Sequence, residues 1–354
     1  MSQEAVAIYA LTAPAAAQAR RLASAWPQAR LFLPRRLAEP AAGELAFDGL
    51  GRVLADNFRR YEGHVLFAAA GMVVRCLAGL LQGKDQDPAV VVADPEGRYA
   101  VSLLSGHLGG ANELAHRVAR ALGGQAVITT ATDNAGLPSL EMTARELGLR
   151  VENLKALARV SRELVEGGRV PLYDPEGWLW PALAESAGCF RRLEAPPPPP
   201  DFLAPAVLVD WRGLDASPAW LVMRPPCLAV GLGCNRGTSV QEMRELLELV
   251  FQRHGLAGGS VFCLATVEAK RDESGITRLA EELAINVRYY PAHQLREVAV
   301  PNPSPMARRH IGTESVCEAA ALLAAGADRL LVTKQKTRNA TLAVAKLSGP
   351  GVSS

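Results

Sequence analysis

HVLFAAAGMVVRCLAGLLQGKDQDPAVVVADPEGRYAVSLLSG, residues 64–106, holds three strand patterns and one helix pattern. HVLFAAA is a continuous apolar run, the mark of a strand buried on both faces, and GMVVRCLAGLL turns at once to helical spacing. AVVVA then resumes a strand, and the D-P-E-G turn sends the chain back as RYAVSLL, so a hairpin adds an antiparallel element. Working outward, AVAIYA (5–10), ARLFLP (29–34) and a helix near LGRVLADNFRR (50–60) continue the alternation. Thr12 is the expected N-cap of the first helix, with Pro14 in its first turn. Strand alternating with helix predicts a mostly parallel sheet covered on both faces, in a first domain of residues 1–145.

The rhythm weakens over 146–225. Five consecutive prolines at 196–200 predict an extended spacer, and AVLVDWRG (206–213) and WLVMRPP (220–226) predict two strands of a small middle module. From 226 to 354 the alternation resumes with CLAVGLG, SVQEMRELLELVFQRHG, SVFCLATVEAK and SVCEAAALLAAG, and closes on a hairpin around KTRNA (336–340). Met243, Leu246, Leu247 and Val250 share one helical face. Ser239 with Glu242, and Ser315 with Glu318, have capping-box spacing. The expected class is α/β: two α/β domains with mostly parallel sheets flanked by helices, joined by the middle module.

Composition excludes several classes. The 354 residues are 49% hydrophobic and 21% charged, with 38 basic against 36 acidic side chains, so no global field favours nucleic acid. No apolar stretch approaches a membrane span. Glu4 stands where a signal peptide needs cations, so a cytoplasmic protein is expected. The six cysteines lack CxxC spacing and the six histidines lack i, i+4 pairing, so no metal is expected.

Chemistry concentrates at glycine turns. In SLLSGHLGGANELAHRVARALGGQAVITTATD (102–133), Leu114, Val118 and Leu122 recur every four residues, placing a helix start near Ala111. Gly106, Gly109 and Gly110 would let free helix amides form an oxyanion cradle, with His107 inside it as general base or proton donor. The alternative is a tight turn that merely requires glycines. Ser105 and Asn112 join the expected substrate-binding set, and Thr129, Thr130 and Asp133 should close the next strand at its carboxyl end, where ligands lie in open sheets. Arg75, early in its helix at the same edge, is a candidate carboxylate grip. In VGLGCNRGTS (230–239), Gly231, Gly233 and Gly237 make G-x-G-x-x-x-G, one residue longer than a dinucleotide fingerprint, with Glu268 a late candidate for the ribose acid. Arg236 and Lys270 would equally suit a carboxylated ligand, and Cys234, Ser315 and Lys334 complete the binding candidates.

SLLSGHLGGANELA, VITTATD, VGLGCNRGTS, LATVEAKRDE and SVCEAAALLAAG with LLVTKQK and ATLAVAKL, in this order over nearly the whole chain, resemble the CbiG family, cobalt-precorrin-5A hydrolase of anaerobic cobalamin biosynthesis. The resemblance implies opening of the δ-lactone of cobalt-precorrin-5A and release of acetaldehyde to give cobalt-precorrin-5B, the cobalt being carried by the substrate. Such a reaction implies no protein-bound cofactor; from the shape and charge of the substrate a broad corrinoid site is expected in a cleft between the N- and C-terminal domains, with water attacking the lactone carbonyl and retro-aldol-like carbon loss. His107 is the candidate base, with Glu113 and Glu268 in reserve. Expected partners are the cobalt-corrinoid substrate, neighbouring cobalamin-pathway enzymes and a second copy in a homodimer. Two other readings are a non-catalytic corrinoid-binding or carrier protein and a nucleotide-dependent oxidoreductase. Asn235 and Glu314 depart from the residue types usual in relatives.

Overall fold

The computed structural model describes residues 4–83, 86–107, 109–196, 204–303 and 315–347. The chain divides into two compact units, Met1–Met142 and Thr143–Ser354. The first contains β1 (Glu4–Ala10), α1 (Ala13–Ala25), β2 (Arg30–Pro34), β3 (Leu45–Phe47), α2 (Leu50–Asn57), β4 (Tyr61–Phe67), α3 (Ala70–Leu77), β5 (Ala89–Ala93), β6 (Tyr99–Leu104), α4 (Ala111–Leu122), β7 (Gln125–Val127), α5 (Ala131–Asn134) and the start of α6 (Leu140–Glu146). Thr12 caps α1 as expected, its Oγ1 accepting from Ala15 N at 3.4 Å.

The seven strands lie in the order β3-β2-β1-β4-β5-β6-β7. Because side chains alternate along a strand, Ile8, Val65 and Val91 pack under α1 and α4. Tyr9, Leu66, Val90 and Val92 pack under α2 and α3 on the other face. β5 and β6 form the expected hairpin, Val92 opposite Val101, and β7 runs parallel to β6. That reversal has a functional consequence. The carboxyl ends of β6 and β7 lie at the edge where β1, β4 and β5 begin, so the His107 loop and the start of α3 occupy opposite edges of the sheet.

His64 on β4 is fully buried, its Nδ1 3.3 Å from Tyr9 Oη and its Nε2 3.2 Å from Phe58 O, with Tyr9 and Phe58 stacked against it. Burial lowers its pKa to about 4 from the ordinary 6.5, with the Phe58 carbonyl opposing. Below pH 6.5 the unfolded chain takes up this proton and the folded chain does not, so about 3 kcal/mol of stability is lost as pH falls from 6.5 to 4. His64→Gln should flatten that part of the stability-against-pH curve measured by urea unfolding. Parallel curves for variant and parent would assign the acid sensitivity elsewhere.

The second unit holds two five-stranded sheets. The middle sheet comprises β8 (Arg150–Val151), β9 (Val170–Tyr173), β10 (Phe190–Arg192), β11 (Ala206–Val209) and β12 (Trp220–Arg224), ordered β10-β9-β11-β12-β8 and covered by α7 (Leu154–Val165). The last sheet comprises β13 (Leu228–Cys234), β14 (Val261–Val267), β15 (Asn286–Tyr290), β16 (Leu330–Lys336) and β17 (Ala340–Lys346), ordered β15-β14-β13-β17-β16. Its helices are α8 (Val240–His254), α9 (Ser274–Glu282), α10 (Ala292–Arg296) and α11 (Val316–Ala325). The expected hairpin is β16–β17. Most of the proline run, and Glu314, lie outside the described residues. Among those residues no helix is long and apolar enough to cross a membrane.

The two capping boxes fare differently. Ser239 Oγ accepts from Glu242 N at 3.2 Å, but the Glu242 carboxylate turns away to Asn339 and Thr337. At α11 the box does not form. Glu318 is fully buried and accepts from Asn302 N, Asn302 Nδ2 and Lys334 N at 3.1, 2.8 and 2.9 Å, tying the helix start to β16. A buried carboxylate goes where donors satisfy it, and three lie there.

Candidate functional site

The loop between β6 and α4 folds onto itself. Gly110, with φ +83°, sits at the N-cap position, and its N–H donates to His107 O at 2.8 Å. Ala111 N donates to Ser105 O at 3.1 Å and Asn112 N to Gly106 O at 3.0 Å. The first two helix amides are therefore consumed by the loop's own carbonyls, so Ala111 and Asn112 do not supply the expected oxyanion cradle. Gly109 is a packing residue, since a Cβ on it would lie 2.3 Å from Ser105 Cβ, and one on Gly106 would lie 2.8 Å from Asn112 Oδ1. Ser105 itself has φ +58°, a conformation costing about 1 kcal/mol for a side-chain-bearing residue, and its buried Oγ has no partner among the described residues.

What the loop presents is a side-chain cluster. His107 Nδ1 lies 2.7 Å from Glu141 Oε1 and Nε2 lies 2.6 Å from Asp133 Oδ2, with Thr132 Oγ1 3.4 Å from Nε2. With both ring nitrogens facing carboxylates, the imidazole is held as imidazolium. The Glu141 hydrogen bond, more than offsetting desolvation, and then the Asp133 bond raise its pKa to about 9. Burial pushes both carboxyl groups up, but bonds from His107, and from Thr130 at Asp133, carry each below its ordinary value. The expected base is thus already protonated at neutral pH, and the expectation is corrected: His107 can donate a proton there but has no free lone pair to accept one. The Asp133 side chain keeps 41% exposure, whereas Glu141 keeps 10%.

Thr130 and Asp133 do come to the site, but not on a strand. β7 ends at Val127 because this edge strand pairs with β6 over three residues, and Thr130 then stands at the N-cap position of the short α5 that carries Asp133, its hydroxyl donating to the Asp133 carboxylate. Thr129 and Glu113 are exposed, with no side-chain bond to the cluster. Asn112 is almost buried, its amide bonded to Ser102, Thr130 and Asp133, so it offers no donor to a ligand. Arg75 is in the last turn of α3, exposed and bonded to Gly71 O of its own helix, at a helix that starts from the opposite sheet edge.

Glu141 was not among the candidates. It lies 34 residues from His107 in sequence and no spacing rule joins them; its position in the first turn of α6 is the one local sign, a carboxylate favoured by the helix dipole.

In the second unit, Gly233, Cys234, Arg236, Gly237, Lys270 and Glu268 gather at the carboxyl ends of β13 and β14, where three of them face one carboxylate, Glu273. Glu273, 7% exposed, accepts from Gly237 N at 3.0 Å and pairs with Lys270 Nζ at 3.2 Å and Arg236 Nε at 3.8 Å. A protein carboxylate thus takes the Gly237 amide and pairs with both nearby cations, which counts against the oxidoreductase reading. Gly231 serves packing: a Cβ there would fall 1.8 Å from Cys317 O on α11. Burial raises the Cys234 thiol pKa. Glu268 is exposed, Ser315 is buried against Cys317 Sγ at 3.7 Å, and Lys334 Nζ donates to Asn302 O at 2.5 Å.

Comparison with known proteins covers the chain in three segments. Residues 52–133 match the profile of Cobalamin synthesis G N-terminal, 138–225 that of Cobalamin biosynthesis central region, and 228–345 that of Cobalamin synthesis G C-terminus. The Priestia megaterium protein named cobalt-precorrin-5A hydrolase is 33% identical over 314 residues, covering 84% of this chain and 82% of that one. Its namesake from Salmonella typhimurium strain LT2 is 33% identical over 331 residues, covering 90% and 92%. Among solved structures, that of CobE, a protein from the cobalamin (vitamin B12) biosynthetic pathway, is 35% identical and covers 34% of this chain and 93% of its own, with a TM-score of 0.33.

Proposed function

This chain belongs to the CbiG family of cobalamin-synthesis proteins and is a hydrolase of the cobalt-precorrin-5A type; from that premise we propose that the His107–Asp133–Glu141 cluster opens the substrate's δ-lactone. The observation that carries the assignment is the imidazolium held between two carboxylates, of which Asp133 remains open to solvent. A fixed acid beside an accessible carboxylate is the pairing that ester hydrolysis uses.

In this mechanism water adds to the lactone carbonyl carbon while Asp133 takes the water's proton. His107 turns its Nε2–H from Asp133 to the lactone oxygen, stabilising the developing negative charge and protonating that oxygen as its bond to the carbonyl carbon breaks. One carboxyl group and one hydroxyl result. The hydroxyl proton then leaves, the bond from its carbon to the macrocycle breaks, and acetaldehyde departs. The electron pair stays on the macrocycle, which takes up a proton; the net change consumes one water. Cobalt travels with the substrate, and the product passes to the neighbouring enzymes of a cytoplasmic pathway.

Acetaldehyde release from cobalt-precorrin-5A by the purified protein, followed against pH, checks this directly. His107 has its pKa raised to about 9, so it stays charged through neutral pH and loses its charge as pH rises through about 9. The carboxylates have lowered pKa values, so their charge is lost only below the ordinary carboxylate range. The expected profile is a plateau through neutral pH with an alkaline limb near 9. Corrinoid binding without any acetaldehyde would instead support the carrier reading.

A further inference from the structure

Both donors and one acceptor position of the Asn112 amide are engaged. Oδ1 accepts from Ser102 Oγ at 2.7 Å, and Nδ2 donates to Thr130 Oγ1 at 3.1 Å and to Asp133 Oδ2 at 3.2 Å. An ionised Asp133 can only accept, which fixes the amide with nitrogen toward Asp133 and oxygen toward β6. Three donors meet on the one Asp133 oxygen: His107 Nε2, Asn112 Nδ2 and Thr130 Oγ1. They are not equivalent as anchors. Thr130 belongs to the same short segment as Asp133 and moves with it, and His107 sits on the loop. Asn112 belongs to α4, whose Ala111, Leu114, Ala115 and Val118 are buried in the core, and Ser102 ties its amide to β6.

We propose that Asn112 is a positioning residue for the hydrolysis: braced by Ser102, it ties Asp133 to the body of the sheet so that Asp133 meets His107 before substrate arrives. The proposal rests on the reading of this cluster as the reaction site. α5 spans only four residues beside an edge strand, so packing alone gives the Asp133 side chain little to hold its rotamer. The amide of Asn112 supplies that constraint. Its near-burial, at 9% exposure, keeps water from competing for the bond.

The groups facing His107 are Asp133 from α5, Glu141 from α6 and the neutral Thr132. Asn112→Ala should lower kcat for acetaldehyde release about 10–100-fold while KM stays within about threefold, the signature of lost alignment. In the same variant the His107 ring, followed by NMR titration, should lose about one unit of its upward displacement, and the alkaline limb of the rate profile should move down with it. Ser102→Ala leaves the amide in place but unbraced, and should show the same two changes at smaller size; it carries the comparison if Asn112→Ala does not fold. Reduced activity with the wild-type His107 titration and rate profile would make Asn112 merely structural and overturn the proposal. A parent protein whose His107 titrates at the ordinary value would defeat the site assignment itself, a result separable from any variant.

Discussion

Acetaldehyde release should fall about 10²-fold or more when His107 is replaced by alanine, a loss of about 2.7 kcal/mol in transition-state stabilisation. The substitution removes the proton donor and also the cation between two carboxylates. Asp133 and Glu141, each held below its ordinary pKa partly by His107, then face a site without compensating charge. Their pKa values should rise, which leaves Asp133 able to take the water's proton, but the negative charge developing on the lactone then has no cation to meet it. His107→Gln separates the effects, since glutamine restores a neutral donor but no positive charge and no transferable proton. It should recover packing without recovering rate. Single-turnover acetaldehyde assays, with thermal unfolding to confirm the fold, measure both variants. Turnover of the alanine variant within about threefold of the parent would move the chemistry away from this loop.

Gly231→Ala should destabilise the second unit by more than about 3 kcal/mol, at the severe end for a single methyl group. The new Cβ would lie 1.8 Å from Cys317 O and 2.8 Å from Ala321 N, both backbone atoms of α11. That helix cannot move aside easily. Cys317, Ala319, Ala320 and Ala321 are buried on it, and Glu318 is pinned by Asn302 and Lys334. Gly258→Ala is the control, because its Cβ would meet nothing within 4 Å. Urea midpoints should differ strongly between the two variants. A Gly231→Ala protein within about 1 kcal/mol of the parent would show that α11 and β13 separate at little cost.

Fold and site were legible to different degrees. The buried strands, the D-P-E-G hairpin, the Thr12 cap and the face of α8 were legible because each depends on residues a few positions apart, and the matching motifs identified the family. The assignment of ligand roles to glycines failed where chain distant in sequence supplied the neighbour, as Cys317 does for Gly231. Arg75 is expected from the sequence at the same sheet edge as Thr129, Thr130 and Asp133 because each follows a strand, yet the hairpin reverses β6 and β7 and sends the two sets to opposite edges. Glu273 could not be seen as the carboxylate beside the α8 N-terminus, nor Glu141 as the partner of His107, because both contacts close across more than thirty residues.

Local periodicity, turn chemistry and motif order thus determined the α/β class, most of the elements and the family from the sequence by itself. Tertiary structure alone decided which donors stay free and which charges face one another. A hydrogen bond or an ion pair depends on distances of a few ångströms between segments, and those distances exist only once the sheet order and strand directions are set. His107 shows the difference: its place in a glycine loop was written in the chain, but its charge was set by Glu141 and Asp133 arriving from elsewhere.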